Sequence, residues 1–231
     1  MKIILITGTS KGIGNYLANY YLEQGNIVIG CSRSDTIISN NNYHHFTIDI
    51  SNENEILELF KEIRKKFKKL NVLINNAAIN PSISPLAFIP KNIIQSTFET
   101  NVIAPMIFCR EAIKLMSKAK NGRIVNMSSM AMKHEVAGES IYTSSKAALS
   151  SFSRVLAKEV YKLGITVNVI APSVIKTSLS DKIDQIALQS ILNRNAVTSY
   201  GKMQDVSNSI DYLIQENSKT ITGQIIYLGG V

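Results

Sequence analysis

The sequence predicts a doubly wound α/β fold, in which one parallel sheet is covered by helices on both faces. Short apolar runs alternate with helical patterns along all 231 residues. The strand-like runs are apolar at nearly every position, which is typical of parallel strands buried on both faces. A glycine-rich turn directly follows the first of these runs. No linker, repeat or low-complexity stretch interrupts the pattern, so we expect a single domain over residues 1–231.

The predicted elements alternate in order along the chain. Strands are expected at residues 2–7, 26–32, 45–48, 70–75, 122–128, 165–171 and 223–228. Helices are expected at about 14–24, 56–70, 91–115, 142–163 and 205–216. Pro105 predicts a kink or boundary inside the third helix, because proline cannot donate the backbone hydrogen bond of a helix interior. Gly164 predicts the C-cap of the fourth helix.

Composition excludes several classes of protein. The chain is 45% hydrophobic and 18% charged, which supports a buried core and excludes a disordered chain. No apolar stretch approaches the roughly 18 residues that span a bilayer, and the first apolar run is too short for a secretory signal. Cys31 and Cys109 are the two cysteines, too few for a disulfide framework. We therefore expect a cytoplasmic protein without a membrane partner.

The net charge of +8 calls for a separate interpretation. The densest basic run, residues 61–69, lies within a pattern of apolar residues at steps of three and four. This spacing predicts an amphipathic helix whose solvated face is basic. No zinc-finger or RNP-type motif is present, so no nucleic acid partner is predicted. The three histidines lack the spacing of metal ligands, so no metal site is predicted.

The glycine-rich turn, Thr7–Gly14, has the spacing G-x-x-x-G-x-G and opens the first helix. Glycines allow backbone N–H groups to approach a pyrophosphate, and a helix N-terminus favours negative charge. The turn predicts a dinucleotide site with candidate contacts at Gly8, Ser10, Lys11, Gly12, Ile13 and Gly14. A tight turn that only caps a helix is the alternative.

The end of the second strand bears on the choice of cofactor. An NAD site usually places a carboxylate there to bind the ribose hydroxyls. Here Arg33 follows Ser32 directly. Arg33 and Lys11 are suited to bind a 2′-phosphate through charge-assisted hydrogen bonds. The sequence therefore favours NADP(H) over NAD(H), although Asp35 lies close enough to keep NAD(H) open.

Tyr142 and Lys146 form the candidate catalytic pair. Their spacing of four places both side chains on one helix face. A free tyrosine has a pKa near 10, and a nearby ammonium favours the phenolate, so Lys146 is expected to lower the pKa of Tyr142. Ser129 follows the fifth strand and is placed to hold a substrate carbonyl oxygen by hydrogen bonding.

Together these motifs resemble the short-chain dehydrogenase/reductase family over almost the whole chain. The resemblance includes the glycine turn, Asp49, residues 75–78, Asn101, Ser129, Tyr142 with Lys146, residues 172–177 and residues 221–224. It implies an enzyme that transfers a hydride between NADP(H) and a small carbonyl substrate, with Tyr142 as the proton donor in reduction.

The resemblance also implies roles for residues outside the motifs derived above. Asp49 and Ile50 would contact the adenine, and Asn76 would lie near the cofactor ribose. Asn101 would hold a water in a proton relay with Lys146, which would also bind the nicotinamide ribose. Ile175 and Thr177 would contact the nicotinamide carboxamide. Simpler structural roles stay open for three of them. Asp49 could cap the next helix, Asn76 could be a turn residue, and Asn101 could be a buried polar residue that kinks its helix.

Within the family, the chain resembles the 3-oxoacyl-[acyl-carrier-protein] reductases, in residues 122–126, 164–169 and 221–224. The basic surface fits an acidic acyl carrier protein as partner. Three departures stand against a full match. Ala78 and Ser173 replace glycines that are usual in the family, and Ser199 replaces an arginine that these reductases often carry.

The remaining expectations concern the substrate and the assembly. Substrate walls are expected at residues 79–90, 130–140 and 176–199, the last forming a lid with Leu179, Ile183, Ile186 and Ile191 on its apolar face. Relatives suggest a homo-oligomer, either a dimer or a tetramer. Two alternatives stay open. One is a sugar, polyol or nucleotide-sugar dehydrogenase, and the other is a non-catalytic NADP-binding scaffold.

Overall fold

Seven parallel strands form one sheet in the computed structural model, which describes residues 1–81, 83–177 and 185–230. The strands are β1 (Ile3–Thr7), β2 (Ile27–Ser32), β3 (Tyr43–Thr47), β4 (Val72–Asn75), β5 (Gly122–Met127), β6 (Ile165–Ala171) and β7 (Ile225–Tyr227). Their order in the sheet is β3-β2-β1-β4-β5-β6-β7. This arrangement confirms the predicted doubly wound, Rossmann-like fold.

Helices connect the strands. They are α1 (Gly12–Glu23), α2 (Glu53–Phe67), α3 (Lys91–Phe98), α4 (Ala104–Ala119), α5 (Ala131–His134), α6 (Ser140–Val160), α7 (Gln185–Leu192) and α8 (Met203–Ile214). Short 3₁₀ turns lie at Leu86–Phe88, Tyr161–Leu163 and Glu216–Ser218. Gly164 ends the turn after α6 with φ +74°, as the predicted C-cap requires.

The core has two halves because successive residues of a strand point to opposite faces of the sheet. Ile3 and Leu5 of β1 pack with α2, α4 and α6 on one face. Ile4 and Ile6 pack with α1 and α8 on the other. Phe60 and Phe108, both fully buried, meet at a ring-centroid distance of 5.8 Å on the first face. Burial on both faces explains why the strands are apolar throughout.

The helix expected at residues 91–115 is divided. α3 ends at Phe98, a π-helical turn covers Glu99–Ile103, and α4 begins at Ala104. Pro105 therefore lies in the first turn of α4, where its missing N–H costs no helical hydrogen bond. The expected boundary is present, and the helix is interrupted at the π turn that precedes the proline.

Part of the expected lid lies outside the described residues. Leu179 and Ile183 fall in the undescribed segment 178–184, and the side chain of Ile186 is likewise outside the description. Ile191, on the last turn of α7, is buried and lines the cavity described below.

Candidate active site

A cavity of about 560 Å³ opens at the carboxyl ends of the strands. The sheet order reverses between β1 and β4, and ligands of doubly wound sheets bind at such a switch point. Most residues predicted for the site line this cavity. They are Gly8, Ser10, Lys11, Gly12, Ile13, Arg33, Asp49, Ile50, Asn76, Ser129, Tyr142, Lys146, Ile175 and Thr177. Gly14 and Asn101 are the two that lie behind its wall.

The glycine turn brings backbone rather than side chains to the cavity. Gly8 and Gly12 have φ values of +77° and +60°, which side chains rarely adopt. A Cβ atom at Gly14 would lie 2.1 Å from the Gly8 carbonyl oxygen, so α1 packs directly on the strand end. Lys11, the N-cap residue of α1, makes no side-chain cap hydrogen bond. The backbone N–H groups at this helix start fit the pyrophosphate of a dinucleotide.

Asn76 fixes the glycine turn to the end of β4. Its side-chain Nδ2 donates to the Thr7 carbonyl oxygen at 2.8 Å, and its backbone N–H donates to Thr7 Oγ1 at 3.0 Å. Asn76 is therefore a turn residue and also part of the cavity wall. The two interpretations of this position are compatible.

The carboxylates near the end of β2 differ in their surroundings. Asp35 accepts a hydrogen bond from Thr47 Oγ1 at 2.9 Å and does not belong to the cavity wall that the structure describes. Asp49 lines the cavity, and its Oδ1 accepts from the Ser51 backbone N–H and hydroxyl. These bonds and the charge of Arg33 lower the pKa of Asp49. Asn52, not Asp49, caps α2, since its side chain accepts from the Asn54 N–H.

Ser129, Tyr142 and Lys146 meet at the cavity floor. Tyr142 lies beside Ser129, and the Lys146 Nζ lies 5.8 Å from the centroid of the Tyr142 ring. Nζ donates to the Met127 carbonyl oxygen at 2.8 Å. Tyr142 is 8% exposed and Lys146 is 2% exposed. The spacing of four on α6 thus places both groups on the face that the sequence predicts.

The prediction that Lys146 lowers the pKa of Tyr142 is wrong. Burial is the largest cause that raises the pKa of Tyr142 to about 12; Ser129 acts in the opposite direction, and the charge of Glu139 contributes to the rise. Burial also lowers the pKa of Lys146 to about 8. Desolvation disfavours the charged forms of both groups. The phenol is therefore protonated at neutral pH.

Asn101 lies in the π turn and supports the site from behind. Its Nδ2 donates to the Ile79 carbonyl oxygen at 2.8 Å and to Ser145 Oγ at 3.0 Å, while its Oδ1 accepts from the Ile79 N–H at 2.9 Å. These bonds tie the loop after β4 to α6. π turns occur frequently at functional sites, and this one sets Asn101 apart from the regular helix.

Several wall residues were not named individually as site residues, although Asn80, His134 and Glu139 fall within the expected substrate walls at 79–90 and 130–140. His134 and Glu139 are buried polar residues of the wall, and Asn80 and Ser173 line it as well. The side chain of Asn195 links two of them, since its Oδ1 lies 2.8 Å from His134 Nε2 and its Nδ2 donates to Ser173 Oγ at 2.8 Å. The sequence does signal Glu139, because it lies three residues before Tyr142 at the start of the same helix.

Buried Lys146 gives a prediction about stability. We expect Lys146→Met to raise the free energy of unfolding of the cofactor-free protein by about 2 kcal/mol near pH 7, because it removes a desolvated charge with one hydrogen bond. The pKa of Lys146 is about 8 when folded, against 10.5 for a free lysine. Between these values the unfolded chain binds more protons, so the wild type gains stability as pH rises. The difference between the two proteins should therefore shrink from pH 8 towards 10.5.

Urea denaturation of both proteins across this pH range is the measurement. Lys158→Met is the matched control, since Lys158 is an exposed lysine of the same helix and should change stability little at any pH. Equal stability of the wild type and Lys146→Met near pH 7 would show that the buried ammonium carries no cost.

A parallel nucleotide-binding sheet with a serine, a tyrosine and a lysine at its switch-point crevice defines an NAD(P)-dependent oxidoreductase. The family model described as short chain dehydrogenase matches residues 2–187. The chain therefore belongs to the short chain dehydrogenase family.

Relatives and solved structures resemble the whole chain. The 3-oxoacyl-[acyl-carrier-protein] reductase FabG of Rickettsia felis is 33% identical over 232 residues, covering 99% of this chain and 95% of that protein. FabG of Buchnera aphidicola from Schizaphis graminum is 31% identical, covering 99% and 96%. The structure of 4-hydroxyisoleucine dehydrogenase with NADH has a TM-score of 0.87 at 31% identity, covering 100% and 98%. That of ElxO with NADP has a TM-score of 0.90 at 30% identity, covering 99% and 97%.

The described residues contain neither a membrane-spanning helix nor a cluster of metal ligands. No helix there combines the length and the apolar character needed to cross a membrane. No cluster of three or more histidine, cysteine or acidic side chains suited to hold a metal ion was found in the same residues.

Proposed function

We propose that this protein reduces a ketone to a secondary alcohol with NADPH. The observation that carries the proposal is the position of Tyr142, which lines the same cavity as Ser129, Lys146 and the glycine turn. A buried phenol with a pKa of about 12 keeps its proton at neutral pH. It is therefore suited to donate a proton to a developing alkoxide.

Different residues of the chain have different roles in the proposed reaction. The cofactor supplies the hydride when it is bound. Ser129 and Tyr142 donate hydrogen bonds to the substrate carbonyl oxygen and favour the negative charge that develops on it. Tyr142 then gives its proton to that oxygen. Lys146, held by the Met127 carbonyl, supplies positive charge at the same floor, and Asn101 holds the surrounding loop in register with α6.

For the substrate, we propose a 3-oxoacyl thioester, including one carried on an acidic acyl carrier protein. The support is the similarity to reductases of that name and the net charge of +8. The test is NADPH oxidation at 340 nm with acetoacetyl-CoA and with a panel of simple ketones. Turnover of a ketone supports the proposal. No turnover of any ketone, together with oxidation of a sugar or polyol, favours the alternative of a sugar, polyol or nucleotide-sugar dehydrogenase.

Arg33 carries the proposed preference for NADPH. It lines the cavity next to Ser32 and Ser34, and the nearby Asp35 is engaged by Thr47. We expect Arg33→Ala to weaken NADPH binding roughly tenfold or more, because a charge-assisted hydrogen bond to a phosphate is lost. NADH binding should change less than threefold.

Fluorescence titration with both cofactors checks this prediction. Lys65→Ala is the control, since Lys65 is an exposed cation of α2 and is absent from the cavity wall that the structure describes. Tighter binding of NADH than NADPH by the wild type would overturn the cofactor proposal directly.

We also propose a cytoplasmic homo-oligomer, a dimer or tetramer. β7 is an edge strand of the sheet, and Val155 on α6 and Ile103 before α4 are 54% and 40% exposed. Apolar exposure on these helices suits a contact between copies. Light scattering coupled to size-exclusion chromatography tests the assembly, and a monomeric mass would contradict it.

A further inference from the structure

Glu139 is a buried carboxylate in the wall of the cavity. It is 6% exposed and comes directly before α6, three residues ahead of Tyr142. Asn80, on the loop after β4, lies close enough to the carboxyl group to lower its pKa. None of the roles assigned above to the cofactor or to the proton uses this group.

The fold does not account for this carboxylate. Glu139 holds the N-cap position of α6, yet its side chain makes no cap hydrogen bond. Its backbone is satisfied without the side chain, since its N–H donates to the Val136 carbonyl and its carbonyl accepts from the Thr143 N–H. Within the described residues, no lysine, arginine or histidine nitrogen lies within 4.0 Å of the carboxylate.

An acid in this position costs free energy as long as it has only a neutral partner. Burial raises the pKa of Glu139, and its charge in turn raises the pKa of Tyr142. A hydrogen-bond donor placed against the carboxylate would offset its desolvation and reduce the effect of its charge on Tyr142. Carboxylates accept hydrogen bonds and attract cations, so nitrogen-bound hydrogen is the matching chemistry.

We propose that Glu139 binds an N–H group of the substrate, so that the ketone carries an ammonium or amide nitrogen a few bonds from its carbonyl carbon. This inference rests on the proposed reduction of a ketone at Tyr142. A purely hydrocarbon substituent would offer the carboxylate no donor in addition to Asn80. The N–H group has two possible sources, a free amine or an amide such as those of a pantetheine arm.

The experiment compares three product alcohols of similar length in the reverse reaction with NADP⁺. The first is 4-amino-2-butanol, the second is its N-acetyl derivative, and the third is 2-pentanol, which has no nitrogen. Both kcat/KM and the Kd for the cofactor-loaded protein are measured for the wild type and for Glu139→Gln. Glu159→Gln is the matched control, because Glu159 is an exposed acid of the same helix.

We expect the wild type to prefer a nitrogen-bearing alcohol to 2-pentanol by about tenfold or more, as for a hydrogen bond to a charged group. Glu139→Gln should reduce a preference for the ammonium, measured as the ratio to 2-pentanol in the same variant, to less than about threefold. A preference for 4-amino-2-butanol alone indicates an amine, and a similar preference for the N-acetyl derivative indicates an amide. Glu159→Gln should leave all values unchanged.

The inference is overturned if the wild type shows no preference for a nitrogen-bearing alcohol over 2-pentanol in either kcat/KM or Kd. This comparison uses the wild type alone and does not depend on the folding of a variant. A preference that Glu139→Gln leaves intact overturns it as well. If either of these two results is obtained and 2-pentanol is oxidised, the proposed function stands without the inference. If no alcohol is oxidised but 4-amino-2-butanol binds selectively through Glu139, the inference stands and the proposed reaction fails.

Discussion

Tyr142→Phe should lower kcat for ketone reduction by about 10²- to 10⁴-fold, the range that general acid catalysis contributes. The substitution removes one hydroxyl and keeps the buried ring, so packing against the rest of α6 is preserved. Ser129 would still donate a hydrogen bond to the carbonyl oxygen, but no group at the floor would deliver the proton. The Kd for NADPH should change less than threefold, because the glycine turn and Arg33 remain.

Steady-state oxidation of NADPH and fluorescence titration measure the two quantities separately. Tyr161→Phe is the matched control, since Tyr161 is 48% exposed in the 3₁₀ turn after α6 and should keep full activity. Turnover by Tyr142→Phe within tenfold of the wild type would assign the proton to another group. The same result would remove the argument for reduction at this site.

The sequence predicts the sheet well because burial on both faces leaves a strong signal. Every residue of β1 and β6 is buried, and the apolar runs that predict these strands end within a residue or two of the observed bounds. β7 is less reliable, since its three residues are only partly buried and the expected strand at 223–228 is longer. Elements at the edge of a sheet carry less of the pattern that predicts them.

Local spacing predicts where functional groups meet but not their electrostatics. A spacing of four correctly places Tyr142 and Lys146 on one face, and Ser129 joins them because parallel strands end at the same edge. The direction of the pKa shift depends on how deeply both groups are buried, which requires the packing of several distant segments. For this reason the spacing suggests a lowered pKa for Tyr142, whereas burial raises it.

Buried polar networks are equally hidden from the sequence. Asn75 Nδ2 donates to Asn126 Oδ1 at 2.8 Å, and Asn126 Nδ2 donates to Ser153 Oγ at 2.8 Å, linking β4, β5 and α6 beneath the cavity. The three residues are distant in sequence, and each is unremarkable alone. Glu139 is similar, because an acid at a helix start usually indicates favourable interaction with the helix dipole. Glu139 falls in the expected substrate wall at 130–140, but only the folded structure shows that it is buried there without capping the helix.

Gly14→Ala should remove cofactor binding and lower the free energy of unfolding by about 3 kcal/mol, at the upper end of the cost of overpacking. The added Cβ atom would lie 2.1 Å from the Gly8 carbonyl oxygen and 2.5 Å from Asn76 Nδ2. Neither neighbour can yield easily. The Gly8 N–H donates to the Cys31 carbonyl at 2.7 Å, and Asn76 is held by Thr7.

Relief of this clash requires α1 to move away from the end of β1, which would displace the backbone N–H groups proposed to bind the pyrophosphate. We expect the Kd for NADPH to rise by at least about a hundredfold, as for the loss of two charge-assisted hydrogen bonds. Urea denaturation and fluorescence titration measure the two effects. Gly201→Ala is the control, because its nearest neighbour, Ile175 Cγ1, lies 3.4 Å from the added atom. Unchanged stability together with normal NADPH binding in Gly14→Ala would show that the close approach of α1 to β1 is not required for the site.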